Sequence, residues 1–89
     1  MDPLFSVVIP TYNHGQLIGR CLTSVVAQSF TDWEAIVINN YSEDNTIEVV
    51  EGFHDERIHL VNFRNNGIIA ASRNEGIRRA RGEFVAFLD

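Results

Sequence analysis

The sequence contains no lysine, and its seven basic residues are all arginine. A P-loop and a Schiff-base mechanism both depend on a lysine, so the sequence excludes both. The 89 residues carry a formal net charge of -5, whereas nucleic-acid-binding proteins cluster Lys and Arg along the phosphate backbone. We therefore expect no nucleic-acid partner.

Cysteine and long apolar runs are also scarce. Cys21 is the single cysteine, so no disulfide framework can form, and its place on the apolar face of a predicted helix indicates core packing. No apolar run approaches the roughly 18 residues of a membrane span, and the first residues lack the basic start of a signal peptide. The sequence therefore predicts a cytoplasmic protein.

The histidines and the arginines near the end of the chain show no pattern of a metal or anion site. His14, His54 and His59 lack metal-ligand spacing and are predicted to be surface or loop residues. The spacing of a basic cluster predicts that it lies on the solvent-exposed face of one helix; its members are Arg78, Arg79 and Arg81.

Short apolar, β-branched segments alternate with segments of helical period. The predicted strands are 5–9, 33–38, 57–63 and 83–88, and the predicted helices are 15–28, 44–53 and 68–79. Pro10 is expected to end the first strand, and Gly82 to cap the last helix. Nearly continuous apolar strands in the order βαβαβαβ are typical of a three-layer α/β fold with an open, mostly parallel sheet.

Polar side chains collect where these strands end. The stretch IVINNYSED, for example, runs from an apolar strand directly into Asn39 and Asn40. Ligands of open α/β sheets bind outside the carboxyl ends of the strands. The residues at those ends are 10–14, 39–42, 64–66 and Asp89. Their aromatic, amide, guanidinium and carboxylate groups suit the recognition of a nucleotide.

Three motifs give the sequence a family resemblance. The strand that leads into PTYN, the AQSFTDWE segment and the ending ASRNEG…ARGEFVAFLD resemble the N-terminal half of a family 2 glycosyltransferase of the GT-A fold. The resemblance covers almost the whole chain and implies a strand order of 3-2-1-4. It also implies that residues 1–89 are a fragment, the N-terminal part of a single GT-A domain.

The resemblance implies a nucleotide site. Tyr12 would stack on the base, Pro10 and Thr11 would make close contacts, Asn40 would meet the base edge, and Arg73 would reach the base or the diphosphate. A divalent metal, Mn or Mg, would bridge the diphosphate, and Asp89 matches the start of its acidic motif. Any catalytic residue would lie beyond Asp89, so the fragment alone would be inactive.

The implied reaction moves a sugar from a nucleotide-diphosphate donor, with UDP-sugar favoured, to a saccharide or lipid-linked acceptor hydroxyl. The full-length enzyme could associate with the cytoplasmic face of a membrane. Two departures from the family stand at the proposed base site: Asn39 and Asn40 replace two aspartates, and Tyr41 replaces a glycine. An asparagine offers one acceptor and two donors, whereas an aspartate only accepts.

Other interpretations compete with this one. A receiver-like or flavodoxin-like domain shares the βα alternation, but a receiver needs an acidic cluster after the first strand and a lysine. A non-catalytic nucleotide-binding domain fits the replacement of both aspartates. A structural fragment is the third alternative, since the strand at 83–88 could self-associate through an unpaired sheet edge.

Overall fold

The computed structural model describes residues 2–88. Its strands are β1 (Phe5–Thr11), β2 (Trp33–Asn39), β3 (Ile58–Asn62) and β4 (Phe84–Phe87). Its helices are α1 (Gly15–Val26), α2 (Thr46–Glu51) and α3 (Ile69–Arg79). Every predicted element is present, and each boundary lies within two residues of its predicted position.

All four strands are parallel and lie in the order β3-β2-β1-β4. This order confirms the predicted 3-2-1-4 arrangement. The strand order reverses between β1 and β4, and an open α/β sheet has its binding crevice at such a reversal. The fold therefore places the carboxyl end of β1 where a ligand is expected.

Alternate residues of β1 and β2 point to opposite faces of the sheet, and each face has its own apolar cluster. On one face, Ile9 and Val37 pack with Leu22 of α1 and Val50 of α2. On the other face, α3 packs on β1 and β2. Helices thus cover both faces, which confirms the three-layer prediction.

Cys21 contributes to the first of these faces, as predicted. The residue is half-buried and packs against the cluster that contains Ile18 and Leu22. Burial raises the pKa of its thiol. A thiol with a raised pKa is a poor nucleophile near neutral pH, so Cys21 acts as a packing residue.

Gly76 sets the distance between α3 and the sheet. A Cβ atom at this position would lie 2.2 Å from Cγ1 of Val8, which is fully buried in β1. Only a glycine therefore permits the observed approach of α3 to β1.

Pro10 does not end β1, which continues to Thr11. The ladder between β1 and β4 stops at Val8, whereas Pro10 still pairs with Ile38 of β2. Alternate residues of a strand bond to opposite neighbours; Val8 O accepts from Leu88 on the β4 side, so Pro10 also faces that side. Within residues 2–88 the missing N–H of Pro10 therefore costs no ladder bond, and the prediction that Pro10 ends the strand was wrong.

The segment between α3 and β4 is anchored by a buried carboxylate, Glu34. Its Oε2 accepts hydrogen bonds from Ser6 Oγ at 2.6 Å and from the backbone N–H of Arg81 at 2.8 Å. The guanidinium Nε of Arg81 and the Nε2 of His59 lie 3.4 and 3.5 Å from Oε1. Burial alone would raise the pKa of Glu34, but these hydrogen bonds and charges outweigh burial and lower it.

This anchor corrects two sequence-based predictions, for Gly82 and for Arg81. Gly82 is no helix cap, because α3 already ends at Arg79. A Cβ atom at Gly82 would lie 2.6 Å from the backbone N of Ser6, so a glycine is needed for the close approach of this segment to β1. Arg81 lies beyond α3 and turns toward Glu34, not toward solvent with the helix. His59 lies within β3, as the predicted strand at 57–63 implied, and its side chain is 42% exposed, as predicted for a surface residue.

Strand β4 is exposed along its whole length. Within residues 2–88 it pairs with β1 and lies at the edge of the sheet. Its sequence, FVAF, has no charge, proline or bulge of the kind that protects an edge strand. Self-association through this edge stays a prediction, and a concentration-dependent mass in sedimentation would support it.

Candidate functional site

A cleft of about 210 Å³ opens at the carboxyl end of β1. Its lining residues are Pro10, Thr11, Tyr12, His14, Asn65, Ile69 and Arg73. Of the residues predicted to bind nucleotide, the structure brings Pro10, Thr11, Tyr12 and Arg73 together here. Asn40 lies next to the cleft and is bonded to two of its lining residues.

The elements around the cleft give each side chain a different exposure. Thr11 ends β1 and is buried, whereas Tyr12 follows the strand and is 45% exposed. Arg73 lies one turn into α3, whose first residue, Ile69, also lines the cleft. The cleft therefore combines an accessible ring, a guanidinium and the N-terminus of a helix.

Asn13 fixes the turn that carries Tyr12. Its backbone has a positive φ of 50°, and its N–H donates to Ser42 Oγ at 2.9 Å. Its Oδ1 accepts from the backbone N–H of Glu43 at 2.7 Å and of Asp44 at 3.4 Å. These bonds join the loop after β1 to the loop after β2.

Asp44 strengthens the same connection from the other loop. Its Oδ2 accepts from the backbone N–H of Gly15, the first residue of α1, at 3.1 Å. Its Oδ1 accepts from the hydroxyl and the backbone N–H of Thr46, the first residue of α2. The hydrogen bond from the Thr46 hydroxyl is the main cause of the lowered pKa of Asp44.

Asn39 is a structural residue. Its side chain is fully buried. Its Oδ1 accepts from the Ser42 N–H at 3.2 Å and from the Ser42 hydroxyl, while its Nδ2 donates to Asn62 Oδ1 at 2.9 Å. The first amide of the IVINNYSED stretch thus holds the turn after β2 and links β2 to β3.

Asn39→Ala should lower the free energy of unfolding by about 2–3 kcal/mol, because it removes three hydrogen bonds worth roughly 1 kcal/mol each. Chemical denaturation measures the effect. Asn74→Ala is the matched control, since Asn74 is exposed on α3 and alanine is the better helix former. Equal midpoints for the two variants would contradict the structural role of Asn39.

Asn65 belongs to the strand-end residues at 64–66, but the family resemblance assigned it no role in the nucleotide site. It is buried, its Nδ2 donates to Ser72 Oγ at 2.8 Å, and its Oδ1 accepts from Gly67 N–H at 2.8 Å. It thereby fixes the loop after β3 against α3. Its position after a strand end was the available signal.

His14, among the strand-end residues at 10–14, was also given no role in the nucleotide site. It is an exposed loop residue, as predicted, yet it also lines the cleft. A lone histidine carries little information by itself, so only its place directly after the PTYN turn could have indicated this role.

Tyr41 occupies a conformation that favours glycine. Its φ is 49°, in the left-handed region. A non-glycine residue there costs roughly 1–2 kcal/mol. The guanidinium of Arg64 lies 4.7 Å from the centre of the Tyr41 ring and offsets part of that cost. The turn therefore keeps the backbone of a glycine turn with a tyrosine in it.

The sequence profile of the family described as Glycosyl transferase family 2 matches residues 6–89. The chain belongs to glycosyltransferase family 2. This match confirms the resemblance that the sequence motifs indicated.

Two bacterial glycosyltransferases illustrate the likeness. The chain is 40% identical over 89 residues to the putative teichuronic acid biosynthesis glycosyltransferase TuaG of Bacillus subtilis (strain 168). The aligned region covers 98% of this chain and 35% of TuaG. It is 38% identical over 88 residues to the UDP-Glc:alpha-D-GlcNAc-diphosphoundecaprenol beta-1,3-glucosyltransferase WfgD of Escherichia coli. That alignment covers 99% of this chain and 35% of WfgD. This family 2 chain therefore spans about a third of the length of either protein.

Solved structures of glycosyltransferases share the fold. S. aureus TarS 1-349 in complex with UDP matches with a TM-score of 0.89 and 33% identity, over 100% of this chain and 27% of TarS. The mannosyltransferase PcManGT from Pyrobaculum calidifontis, in complex with GDP-Man and Mn2+, matches with a TM-score of 0.80 and 29% identity. The match covers 96% of this chain and 26% of PcManGT. The GT-A fold prediction is thus confirmed.

The predicted metal site and membrane association remain predictions for this glycosyltransferase chain. Residues 2–88 contain no group of three His, Cys, Asp or Glu side chains that could hold a metal ion. Asp89, the predicted metal ligand, lies outside the described residues. None of the helices within 2–88 has the length and hydrophobicity of a membrane span.

Proposed function

We propose that residues 1–89 are the nucleotide-sugar-binding, N-terminal part of a single GT-A glycosyltransferase domain. The complete enzyme transfers a sugar from a nucleotide-diphosphate donor to an acceptor hydroxyl. The observation that carries the proposal is the cleft at the carboxyl end of β1, which joins Tyr12 and Arg73 at the reversal of strand order.

Tyr12 supplies the stacking surface for the base. Its ring is 45% exposed, and Asn13 holds the turn that carries it. Every base has a π-face, so stacking on tyrosine contributes affinity without choosing among bases. Pro10 and Thr11 line the same cleft and make close contacts with the base.

Arg73 and the start of α3 supply positive charge for the diphosphate. A guanidinium binds phosphate oxygens with paired, charge-assisted hydrogen bonds. Helix α3 begins without a side-chain cap, so its first backbone N–H groups and its dipole also favour an anion. At about 210 Å³, the cleft is smaller than the roughly 300–1,000 Å³ of pockets that enclose whole ligands. It therefore holds part of a nucleotide sugar.

The donor and acceptor classes follow from the relatives. TarS was solved with UDP and PcManGT with GDP-Man and Mn2+, which supports a nucleotide sugar as donor and a divalent metal in the complete enzyme. The name of WfgD specifies a diphosphoundecaprenol-linked acceptor, which supports a saccharide or lipid-linked acceptor. Such an acceptor would place the full-length enzyme in the cytoplasm, at the cytoplasmic face of a membrane.

Titration of the chain with UDP, GDP, CDP and dTDP, with and without manganese, tests the proposal. Backbone amide shifts by NMR should move selectively at Tyr12 and Arg73. Tyr12→Ala should weaken binding of every nucleotide about tenfold, because stacking contributes roughly 1–3 kcal/mol per base.

Tyr41→Ala is the matched control, since Tyr41 is equally exposed but lines no part of the cleft. It should leave the dissociation constants unchanged within about twofold. If the folded chain binds none of the four nucleotides, or if both tyrosine variants weaken binding equally, the proposed site is wrong.

A non-catalytic nucleotide-binding domain is the second candidate, and the two amides in place of aspartates favour it. It predicts the same titration result without sugar transfer. An assay of transfer from a nucleotide sugar by the full-length protein distinguishes the two: turnover supports the enzyme, and binding without turnover supports the binding domain.

A further inference from the structure

Asn40 lies where two walls of the cleft meet. Its backbone N–H donates to the carbonyl oxygen of Thr11 at 3.0 Å. Its side-chain Oδ1 accepts from the backbone N–H of Asn65 at 3.1 Å. Thr11 and Asn65 both line the cleft, so Asn40 lies directly beside it, bonded to two of its walls.

The contact with Asn65 fixes the orientation of the Asn40 amide. A backbone N–H can only donate, so the side-chain oxygen must face the loop. The end of the amide left for a ligand is Nδ2, with its two N–H groups. Asn40 therefore offers the cleft hydrogen-bond donors.

An aspartate at this position would present the opposite polarity. One carboxylate oxygen could still accept from the Asn65 N–H, and the other would offer the ligand an acceptor. The exchange of carboxylate for amide thus leaves the loop in place and reverses what the base encounters.

Asn39 cannot present hydrogen-bond donors to a base in place of Asn40. Its side chain is fully buried, and its oxygen and nitrogen are bonded to Ser42 and Asn62. Asn40 is only partly buried. Of the two amides at the end of β2, Asn40 is therefore the one with surface left for a base to contact.

We propose that Asn40 selects a base with hydrogen-bond acceptors on the edge that it contacts, and that among pyrimidine nucleotides the cleft prefers cytosine to uracil. This inference rests on the proposed function. Cytosine carries the neighbouring acceptors N3 and O2. Uracil carries an N3–H between two carbonyls, and that donor would face the donors of Asn40.

The GT-A fold by itself leaves the base open. TarS binds UDP and PcManGT binds GDP-Man within the same fold. Individual side chains at the base edge therefore decide between bases, and the polarity of Asn40 departs from the UDP preference that the family resemblance implies.

The test compares the dissociation constants of CDP and UDP for the wild-type chain and for Asn40→Asp, measured from NMR amide shifts. We expect wild type to bind CDP about fivefold more tightly than UDP. Asn40→Asp should favour UDP, with a change of at least about tenfold in the ratio of the two constants, the scale of one well-placed hydrogen bond.

The ratio is the useful quantity, because the added charge of Asn40→Asp repels the diphosphates of CDP and UDP equally. An unchanged amide shift of Asn65 would verify that the loop contact survives. Tighter binding of UDP than of CDP by wild type, or an equal ratio in the two proteins, overturns this inference and leaves the proposed function intact. Binding of neither nucleotide by wild type overturns both.

Discussion

Gly76→Ala should lower the free energy of unfolding by about 3 kcal/mol, at the upper end of overpacking effects. The new methyl group would lie 2.2 Å from Cγ1 of Val8, a fully buried, β-branched residue in a central strand. Val8 cannot turn away without displacing its neighbours, so α3 must move instead. A domain of this size is stable by only about 4–13 kcal/mol, so the loss is large.

The same shift should weaken nucleotide binding, because α3 carries Arg73 and packs against Asn65 through Ser72. Denaturant unfolding and the nucleotide titration measure the two effects. Val8→Ala provides the control: it is destabilising alone, but it removes the atoms that clash. The double variant should therefore lose less stability than the sum of the losses in the two single variants. Additive penalties would contradict a direct clash.

The sequence was sufficient for the order of elements, because strands and helices have different periods that a local pattern reveals. The strand order came from the family resemblance. Pro10 shows the limit of the local pattern: whether a proline ends a strand depends on which neighbour its missing N–H would have met. That neighbour is β4, more than 70 residues later in the chain.

The candidate site shows the same division. Pro10, Thr11 and Tyr12 are consecutive, so their place at one strand end could be predicted from the sequence. The orientation of the Asn40 side-chain amide could not be predicted, because it depends on a hydrogen bond to Asn65, 25 residues away. An isolated asparagine offers both an acceptor and donors, and only the fold determines which end remains for a ligand.

The two amides of the IVINNYSED stretch therefore have different roles. Asn39 is buried and bonded on both ends of its side chain. Asn40 bonds through its oxygen alone to the wall of the cleft. A change at position 39 should act on stability, and a change from amide to carboxylate at position 40 should act on the choice of base.

Glu34→Ala should cost about 3 kcal/mol or more. It leaves the Ser6 hydroxyl and the Arg81 N–H without their acceptor, and an unsatisfied buried group costs roughly 1–3 kcal/mol. It also loosens the approach of Gly82 to β1, since Gly82 N–H donates to the same Ser6 hydroxyl at 2.8 Å. Because this anchor lies at the far end of β1 from the cleft, the variant should lose stability while the folded fraction still binds nucleotide.

Glu34→Gln separates charge from shape. The pKa of Glu34 is lowered in the folded state, so the carboxylate stabilises the fold above its unfolded pKa of about 4.3 and loses that contribution as the pH falls through the lower, folded value. Wild type should therefore lose more stability than Glu34→Gln as the pH falls from 5 to the acid limit. Urea unfolding at a series of pH values measures the difference. Some acid sensitivity should persist in the variant, because the pKa values of Asp44, Asp55 and Glu75 are also lowered. Parallel pH profiles for the two proteins would mean that hydrogen bonding to Glu34, and not its charge, anchors β4 to β1.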